Sequence, residues 1–283
     1  MEEKTIKIHK EILRIFREFS ILCKNNNLKY YAIGGTCLGA IRHKGFIPWD
    51  DDMDLAMPIE DYLKLYKLNK ELPENLEILT DEDCYNVNRR NSIKIHNKNT
   101  AFIEECYYHK YEQKYTGIFI DIMPMVGCPK NKFKKKKYIF ELNLLTKLDN
   151  VKITTFKSRR EWKSKIKYII IKPFILWADK NYFYERWLKS LTKYKICPDN
   201  DILFAWRIPL RKPYSNVFSF EIFKEGSELK FEDTTICCPK YYKKYLEEDF
   251  GDYMKLPPIE ERILKHAMIV DFERSYKEYQ EGK

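Results

Sequence analysis

The stretch Ile33 to Leu55, IGGTCLGAIRHKGFIPWDDDMDL, constrains the fold of this chain more than any other. Two adjacent glycines and a threonine stand between a short aromatic and β-branched run, LKYYAI (Leu28–Ile33), and Thr36–Arg42, which suits a short helix. Four aspartates then fall within five residues, at 50, 51, 52 and 54, beside Trp49, Met53, Leu55 and Met57. An acidic cluster is ordinarily solvated; one flanked by apolar residues sits at the edge of a core. Side chains two apart on a strand point to one face, so Asp52 and Asp54 project together while Met53 and Leu55 face inward. Neighbouring carboxylates repel each other and raise one pKa unless a cation sits between them. A hard divalent ion with oxygen ligands answers that requirement, and Mg2+ or Mn2+ serving a phosphate substrate fits better than calcium, since no EF-hand loop is present. Gly34-Gly35-Thr36 permits a tight turn and close backbone approach, with helix-start N–H groups available to a phosphate. Strand, Gly-Gly-Thr, helix and Asp-x-Asp strand in that order set phosphate donors opposite metal ligands.

A third carboxylate is Asp121, the only charge between Gly117 and Val126. A buried Asp is costly without partners, and a metal shared with Asp52 and Asp54 removes the cost; hydrogen bonds from backbone N–H groups are the alternative. Arg42, His43 and Lys44 lie between the short helix and the acidic strand, within reach of donor phosphates. Lys94 alternates with Ile93 and Ile95, so it faces away from them, toward phosphate or toward solvent. Arg262 and His266, four apart on an expected terminal helix (Glu260–Tyr279), read as a surface pair or a satisfied buried histidine.

The charge is uneven. Of 52 Lys+Arg and 42 Asp+Glu, the segment Lys130–Lys195 holds 20 and 5, leaving 32 and 37 elsewhere, so this segment supplies the whole net +10. It contains the run Lys134–Lys137 and the apolar stretch Ile166–Ala178, interrupted by Lys172 and Pro173. Three readings fit: a solvated helical face beside a buried helix, peripheral contact with anionic lipid headgroups, or nucleic-acid binding. The compact aspartates oppose the last, since they repel a phosphate backbone, and no nucleic-acid partner is expected. Eight cysteines without a C-x-x-C pair read as reduced, mostly buried thiols. No secretory signal and no run of 18 apolar residues is apparent, which implies a cytoplasmic protein, at the inner membrane surface if the basic segment docks there.

Helical spacing of Ile8, Ile12, Ile15, Phe16, Phe19 and Cys23 predicts an opening amphipathic helix. Further helices are expected over Ile59–Leu72 and Pro239–Phe250, and strands over Asp52–Met57, Leu76–Thr80, Ser92–His96, Ala101–Glu105, Gly117–Met123 and Phe231–Cys238. The class is α+β: a mixed sheet with flanking helices, then a helical, basic second portion. Residues 1–128 form the catalytic core, 129–228 a basic, largely helical insertion for acceptor or membrane-surface contact, and 229–283 a segment packing back on the core.

GGTCLGAIRHKGFIPWDDDMDLAM, followed by SIKIHNKNT and GIFIDIMP, resembles the LicD (fukutin-related) phosphotransferases of the nucleotidyltransferase-fold superfamily. LKFEDTTICCPKYYKKYLEEDFGDYMKLPP is similar to that family's tail, so the resemblance spans roughly residues 28–125 and 229–268. It implies a nucleotidyltransferase-like core and metal-dependent transfer of a phospho-alcohol from a CDP-alcohol donor. Phosphocholine from CDP-choline is the expected case, moved to a sugar hydroxyl of a cell-surface glycan, lipid-linked or teichoic-acid-type precursor. By matching position, Asp52, Asp54 and Asp121 become metal ligands, while Gly34, Gly35 and Thr36 cradle the diphosphate. Arg42, His43 and Lys94 are added donor contacts, Asp121 or Asp51 the general base, and Trp49 either an aromatic face for choline or a core tryptophan. Two rivals remain: a nucleotidyltransferase moving NMP from an NTP to a small molecule, and a non-catalytic nucleic-acid-binding protein.

Overall fold

The six apolar positions of the opening helix are all buried in α1 (Glu2–Asn25). Its five isoleucine and phenylalanine side chains each contribute about 1.5–3 kcal/mol of burial. Asn27 then takes the left-handed conformation at φ 52°, turning the chain out of the helix. The computed structural model describes residues 2–79, 92–104, 115–156, 162–205, 216–264 and 266–281. Thr80, Cys84, Glu105 and Cys106, which belong to expectations stated for the sequence, lie outside them.

The chain next lays down β1 (Tyr31–Ala32), α2 (Gly34–Arg42), β2 (Asp54–Pro58) and α3 (Ile59–Leu65). β3 (Leu76–Leu79), β4 (Ile93–Asn97), β5 (Ala101–Glu104) and β6 (Phe119–Pro129) follow. The main sheet runs β1-β2-β6-β4-β3, with β2 and β6 parallel and the other pairs antiparallel. β6 is longer than its expected span Gly117–Met123. A strand covered on both faces loses its alternation, and IMPMVGC reads as a featureless apolar run. Its far half pairs with β7 (Asn200–Phe204), which pairs with β8 (Val217–Phe218). The mixed α+β architecture is the expected one.

Between β6 and β7 lie α4 (Lys132–Ile153), α5 (Trp162–Ile171), a 3-10 turn (Lys172–Ile175) and α6 (Tyr182–Leu191). Asn131 caps α4, accepting the N–H groups of Phe133 and Lys134. After β8 come α7 (Phe220–Phe223), the hairpin β9 (Gly226–Phe231) and β10 (Thr234–Pro239), and α8 (Tyr242–Phe250), which stops at Gly251 with φ 69°. The expected strand Phe231–Cys238 is therefore the turn and second arm of a hairpin. Glu232 supplies the left-handed turn residue without a glycine to announce it.

The expected terminal helix Glu260–Tyr279 does not form. β11 (Ala267–Asp271) pairs antiparallel with β5, and among the described residues the span holds a 3-10 turn at its start (Ile259–Glu261) and α9 (Tyr276–Glu281) at its end. Ile269 and Val270 are β-branched, and the open edge of β5 offers them a ladder that outweighs their weak helix preference. Arg262 and His266 consequently share no helix face. α3 likewise ends at Leu65 instead of Leu72, giving way to a 3-10 turn at Asn69–Glu71. Cys23, Cys37, Cys128 and Cys238 are buried free thiols, with Cys197 and Cys237 partly exposed.

Candidate active site

Sheet register builds the centre of the site. Parallel pairing sets Asp54 of β2 opposite Asp121 of β6, and antiparallel pairing sets Lys94 of β4 on the other side of Asp121. The three form one row across three strands. Lys94 Nζ lies 2.8 Å from Asp121 Oδ2 and 3.9 Å from Glu104 Oε2, and it caps the ring of Phe119. Ser92 Oγ donates to Asp121 Oδ1 at 3.1 Å. Asp121 thus finds side-chain partners, not the backbone donors considered from sequence. Lys94 is 3% exposed, because every residue of β4 is covered; it is not a solvent-facing strand lysine.

Gly-Gly-Thr seats these carboxylates. Gly34 stands at φ 53°, and its N–H donates to the Tyr245 hydroxyl at 2.8 Å. Tyr245 donates onward to Asp249 Oδ2 at 3.2 Å. A Cβ on Gly34 would lie 3.4 Å from Asp54 Oδ2, and one on Gly35 would lie 2.6 Å from Asp50 Oδ2, so α2 opens directly beneath two carboxylates. The positive end of the helix favours negative charge there. The Thr36 hydroxyl accepts the Asp54 amide at 2.8 Å, locking the start of β2 to α2. Gly34 and Thr36 therefore already spend one polar group each on shaping the site.

Asp51 is 1% exposed and belongs to a different arrangement. Its oxygens accept the Ala267 amide at 2.8 Å, the His266 amide at 3.3 Å and His266 Nδ1 at 2.8 Å. His266 Nδ1 also lies 3.3 Å from Asp52 Oδ2. On the other flank, the Asp50 carbonyl lies 2.7 Å from His9 Nε2, and the His9 ring stacks on Phe46 at 4.2 Å. The acidic turn is held from both ends of the chain.

Neighbouring aspartates are driven in opposite directions. Burial pushes the Asp51 carboxyl up, but the His266 and Ala267 hydrogen bonds outweigh it and hold the group below its usual value. The Asp51 hydrogen bond in turn raises His266. Asp52 is pushed well up by burial and then by the charge of Asp54. Burial, Asp121 and Asp50 push Asp54 up to about 7, with Lys94 and His266 pulling it part of the way back. Crowded carboxyl groups with incomplete cationic compensation, and oxygen donors only, are the kind of donor set a hard divalent ion takes. Among the described residues, the group whose three ligand atoms all lie within 4.8 Å is Asp50, Asp51 and His266; there the Asp51 oxygens are already hydrogen-bonded.

The rim carries cations. Arg42 Nη1 donates to the carbonyls of Tyr253 at 2.9 Å and Lys255 at 3.4 Å, and its Nε donates to His43 Nε2 at 3.0 Å. Burial and the nearby Arg262 charge hold Arg42 below its usual pKa, and burial and Arg42 lower His43. The Arg262 guanidinium sits 5.3 Å from the centre of the Trp49 ring, and His43 meets that ring edge-on at 6.0 Å.

Residues 27–157 match the family model described as LicD/FKTN/FKRP, nucleotidyltransferase domain. Those residues form a domain of the LicD family. A protein of Haemophilus influenzae named lipopolysaccharide cholinephosphotransferase LicD is 27% identical over 263 residues, covering 90% of this chain and 92% of that protein. An uncharacterised protein of Rickettsia prowazekii is 30% identical over 95 residues, 32% of this chain and 36% of its own. One of Rickettsia typhi is 29% identical over 145 residues, 49% and 41%. The LicD model takes in the Gly-Gly-Thr turn, the aspartates and Lys94, whereas Tyr245 and His266 lie beyond its last residue. Local sequence reading passes over Tyr245, and it reads His266 as a surface pair with Arg262 or a satisfied buried histidine, not as a partner of Asp51. The tail block LKFEDTTICCPKYYKKYLEEDF was the available signal for Tyr245, which falls inside it.

Proposed function

We propose that this chain transfers phosphocholine from CDP-choline to a sugar hydroxyl of a cell-surface glycan precursor. The acceptor is lipid-linked or of teichoic-acid type, the enzyme works from the cytoplasmic side, and Asp52, Asp54 and Asp121 hold Mg2+ or Mn2+. The observation that carries the reading is the row Asp54–Asp121–Lys94, which sets two crowded carboxylates beside one buried cation. The Haemophilus influenzae relative supports the choline phosphate class.

Asp52, Asp54 and Asp121 would hold the ion, which would supply neutralisation of the charge on the transferring phosphate. The chain's own groups do the rest. The start of α2 and the rim residues Arg42 and His43 face the donor phosphates, while Lys94 pairs with Asp121 and holds it in place. Trp49, which already seats a guanidinium, offers its ring to the quaternary ammonium. The acceptor oxygen bonds to the phosphorus bearing choline as the bond to CMP breaks, and the hydroxyl proton passes to Asp121. Asp51 is 1% exposed, against 18% for the Asp121 side chain, and it is turned to His266 and Ala267, so its part is to fix His266 and the acidic turn.

The test is CMP release from CDP-choline by wild type and Asp52→Ala, with Mg2+ or Mn2+ and with metal chelated. Metal-dependent release by wild type alone is the expected result. Release of pyrophosphate from an NTP, with CDP-choline left intact across a panel of acceptors, would replace this reading with nucleotidyl transfer.

A further inference from the structure

The helical portion between Lys132 and Trp177 places large apolar side chains on the outside, against their ordinary preference. On α4 the buried face is made by Tyr138, Ile139, Leu142 and Leu145. The opposite stripe carries Phe133, Lys137, Phe140, Leu144 and Lys147, at steps of four, three, four and three, and all five are exposed. α5, WKSKIKYIII, has no buried residue, although Trp162, Ile166, Ile169 and Ile170 make it as apolar as a core helix. The turn after it adds Phe174 at 76% exposure and Trp177 at 69%. A helix of this character is stable where its apolar face is covered, and no described residue of the chain covers it. The sequence expectation of a buried helix beside a solvated face is corrected here: the apolar helix itself is on the surface.

The geometry of this surface is fixed. Lys172 Nζ donates to the carbonyls of Val151 and Lys152 at the end of α4, at 3.2 and 2.8 Å. Lys152 Nζ reciprocates onto the carbonyls of Ile175 and Leu176, at 3.2 and 3.3 Å. Each lysine satisfies the terminal carbonyls of the other's segment, so α4, α5 and the turn hold together as a unit. The Trp177 indole donates to the Phe174 carbonyl at 2.9 Å, and its ring meets Tyr182 edge-on at 5.0 Å. These exposed aromatics are oriented, not loose.

The charge around them has one sign. Residues 132–177 contain 14 Lys+Arg against Glu141, Asp149 and Glu161. Glu141 is taken by Lys193 and Ser190, and Asp149 is buried. An isologous interface with a second copy would press like charges together. A single-stranded nucleic acid would use the lysines and aromatics, but it has no use for exposed Ile166, Ile169, Ile170, Leu144 and Leu176. Anionic lipid matches all three features: phosphates for the lysines, the headgroup level for the tryptophans, and acyl chains for the aliphatics.

We propose that α4, α5 and the Lys172–Trp177 turn form a docking face for an anionic phospholipid bilayer, lying in its surface as a peripheral element. No described helix is long and apolar enough to cross a membrane. The inference stands apart from the donor assignment, because none of these residues belongs to the carboxylate site.

Full-length protein is sedimented with vesicles of phosphatidylcholine alone and with vesicles that also contain phosphatidylglycerol, at low and high salt, while tryptophan emission is followed. Wild type is expected to bind the anionic vesicles with a blue shift and to release them as salt rises. Replacing the exposed Lys134, Lys136 and Lys137 by Gln lowers partitioning roughly a hundredfold; Lys135 is left alone because it pairs with Asp201. Phe174→Ser with Trp177→Ser lowers it by at least about tenfold and abolishes most of the blue shift. Both sets retain the wild-type melting temperature and the wild-type rate of CMP release in solution, so loss of docking is separable from loss of folding or chemistry. The proposal is overturned by an absence of wild-type binding to anionic vesicles, by equal binding to neutral ones, by a Phe174/Trp177 variant that binds undiminished, or by single-stranded RNA displacing the vesicles.

Discussion

At one end of the sheet, Asp52, Asp54 and Asp121 draw carboxyl groups together and partly out of solvent; on α4 and α5, Phe133, Ile166 and Trp177 hold apolar surface outside the protein. Both regions set side chains against their own solvation, and neither arrangement helps the chain fold. They differ in how finely they are built. The carboxylates are aimed by strand register, a left-handed glycine and hydrogen bonds from distant elements, so a shift of one residue in β2 would turn Asp54 to the opposite face. The apolar surface is collective, spread over two helices and a turn, and tolerates the loss of any one member. A small divalent ion needs the first kind of site, and a fluid lipid surface needs the second.

The sharpest way to break this comparison is Asp54→Ala. CMP release from CDP-choline should fall by roughly a thousandfold or more. Without metal, the melting temperature should match or exceed that of wild type, since a repelling carboxylate is gone. Mg2+ should raise the melting temperature of wild type only. A metal-free variant that melts well below wild type would show that the crowding carries no cost.

Lys94→Met keeps length and apolar contact but leaves Asp121 facing Asp54 without its cation. Breaking a buried pair from one side costs about 3–5 kcal/mol, and denaturant unfolding should register a loss in that range, partly restored by Mg2+. A loss below about 1 kcal/mol would mean the row is effectively solvated. Tyr245→Phe removes the acceptor of the Gly34 amide and the donor to Asp249 while preserving the ring. It should cost about 1–3 kcal/mol and slow CMP release through misplacement of α2. Full activity with unchanged stability would remove Tyr245 from the site's framework.

His96 is the control, a buried titratable group whose needs the protein meets. The Gly117 N–H donates to Nδ1 at 2.9 Å, which puts the ring proton on Nε2, 3.3 Å from Glu77. Burial holds its pKa below 6.5 despite Glu77. The unfolded chain therefore binds a proton before the native state does, and stability is lost as pH falls below 6.5 toward the folded value. His96→Gln should flatten that part of the stability curve, measured by denaturant titration at a series of pH values. An unchanged slope would assign the acid sensitivity to other groups.

Much of this was readable before any coordinates. Helical period exposed α1, and the Gly-Gly-Thr to Asp-x-Asp order marked α2, β2 and the row of carboxylates, because these are local patterns. Lys94 was half readable: alternation with Ile93 and Ile95 showed which way it turns, but not that both faces of β4 are covered. His266 was misplaced altogether. Its partner Asp51 lies 215 residues earlier, and the ladder that draws β11 onto β5 depends on an open edge no local window contains. The exposure of α5 was equally hidden, since composition separates apolar from polar but not inside from outside.

Asp50, Asp51, Asp52, Asp54 and Asp121 all belong to the first half of the chain, while the groups that fasten them, Tyr245 and His266, come near its end. The order of synthesis therefore matters. A ribosome releasing this protein exposes a finished set of acidic ligands long before their clasp exists, and the pocket snaps into working shape only with the last few dozen residues. A fragment ending near residue 157 would carry every aspartate of the site, with Lys94, Ser92, Thr36 and His9, but neither Tyr245 nor His266. A premature stop near the tail should silence the enzyme as completely as a lost aspartate.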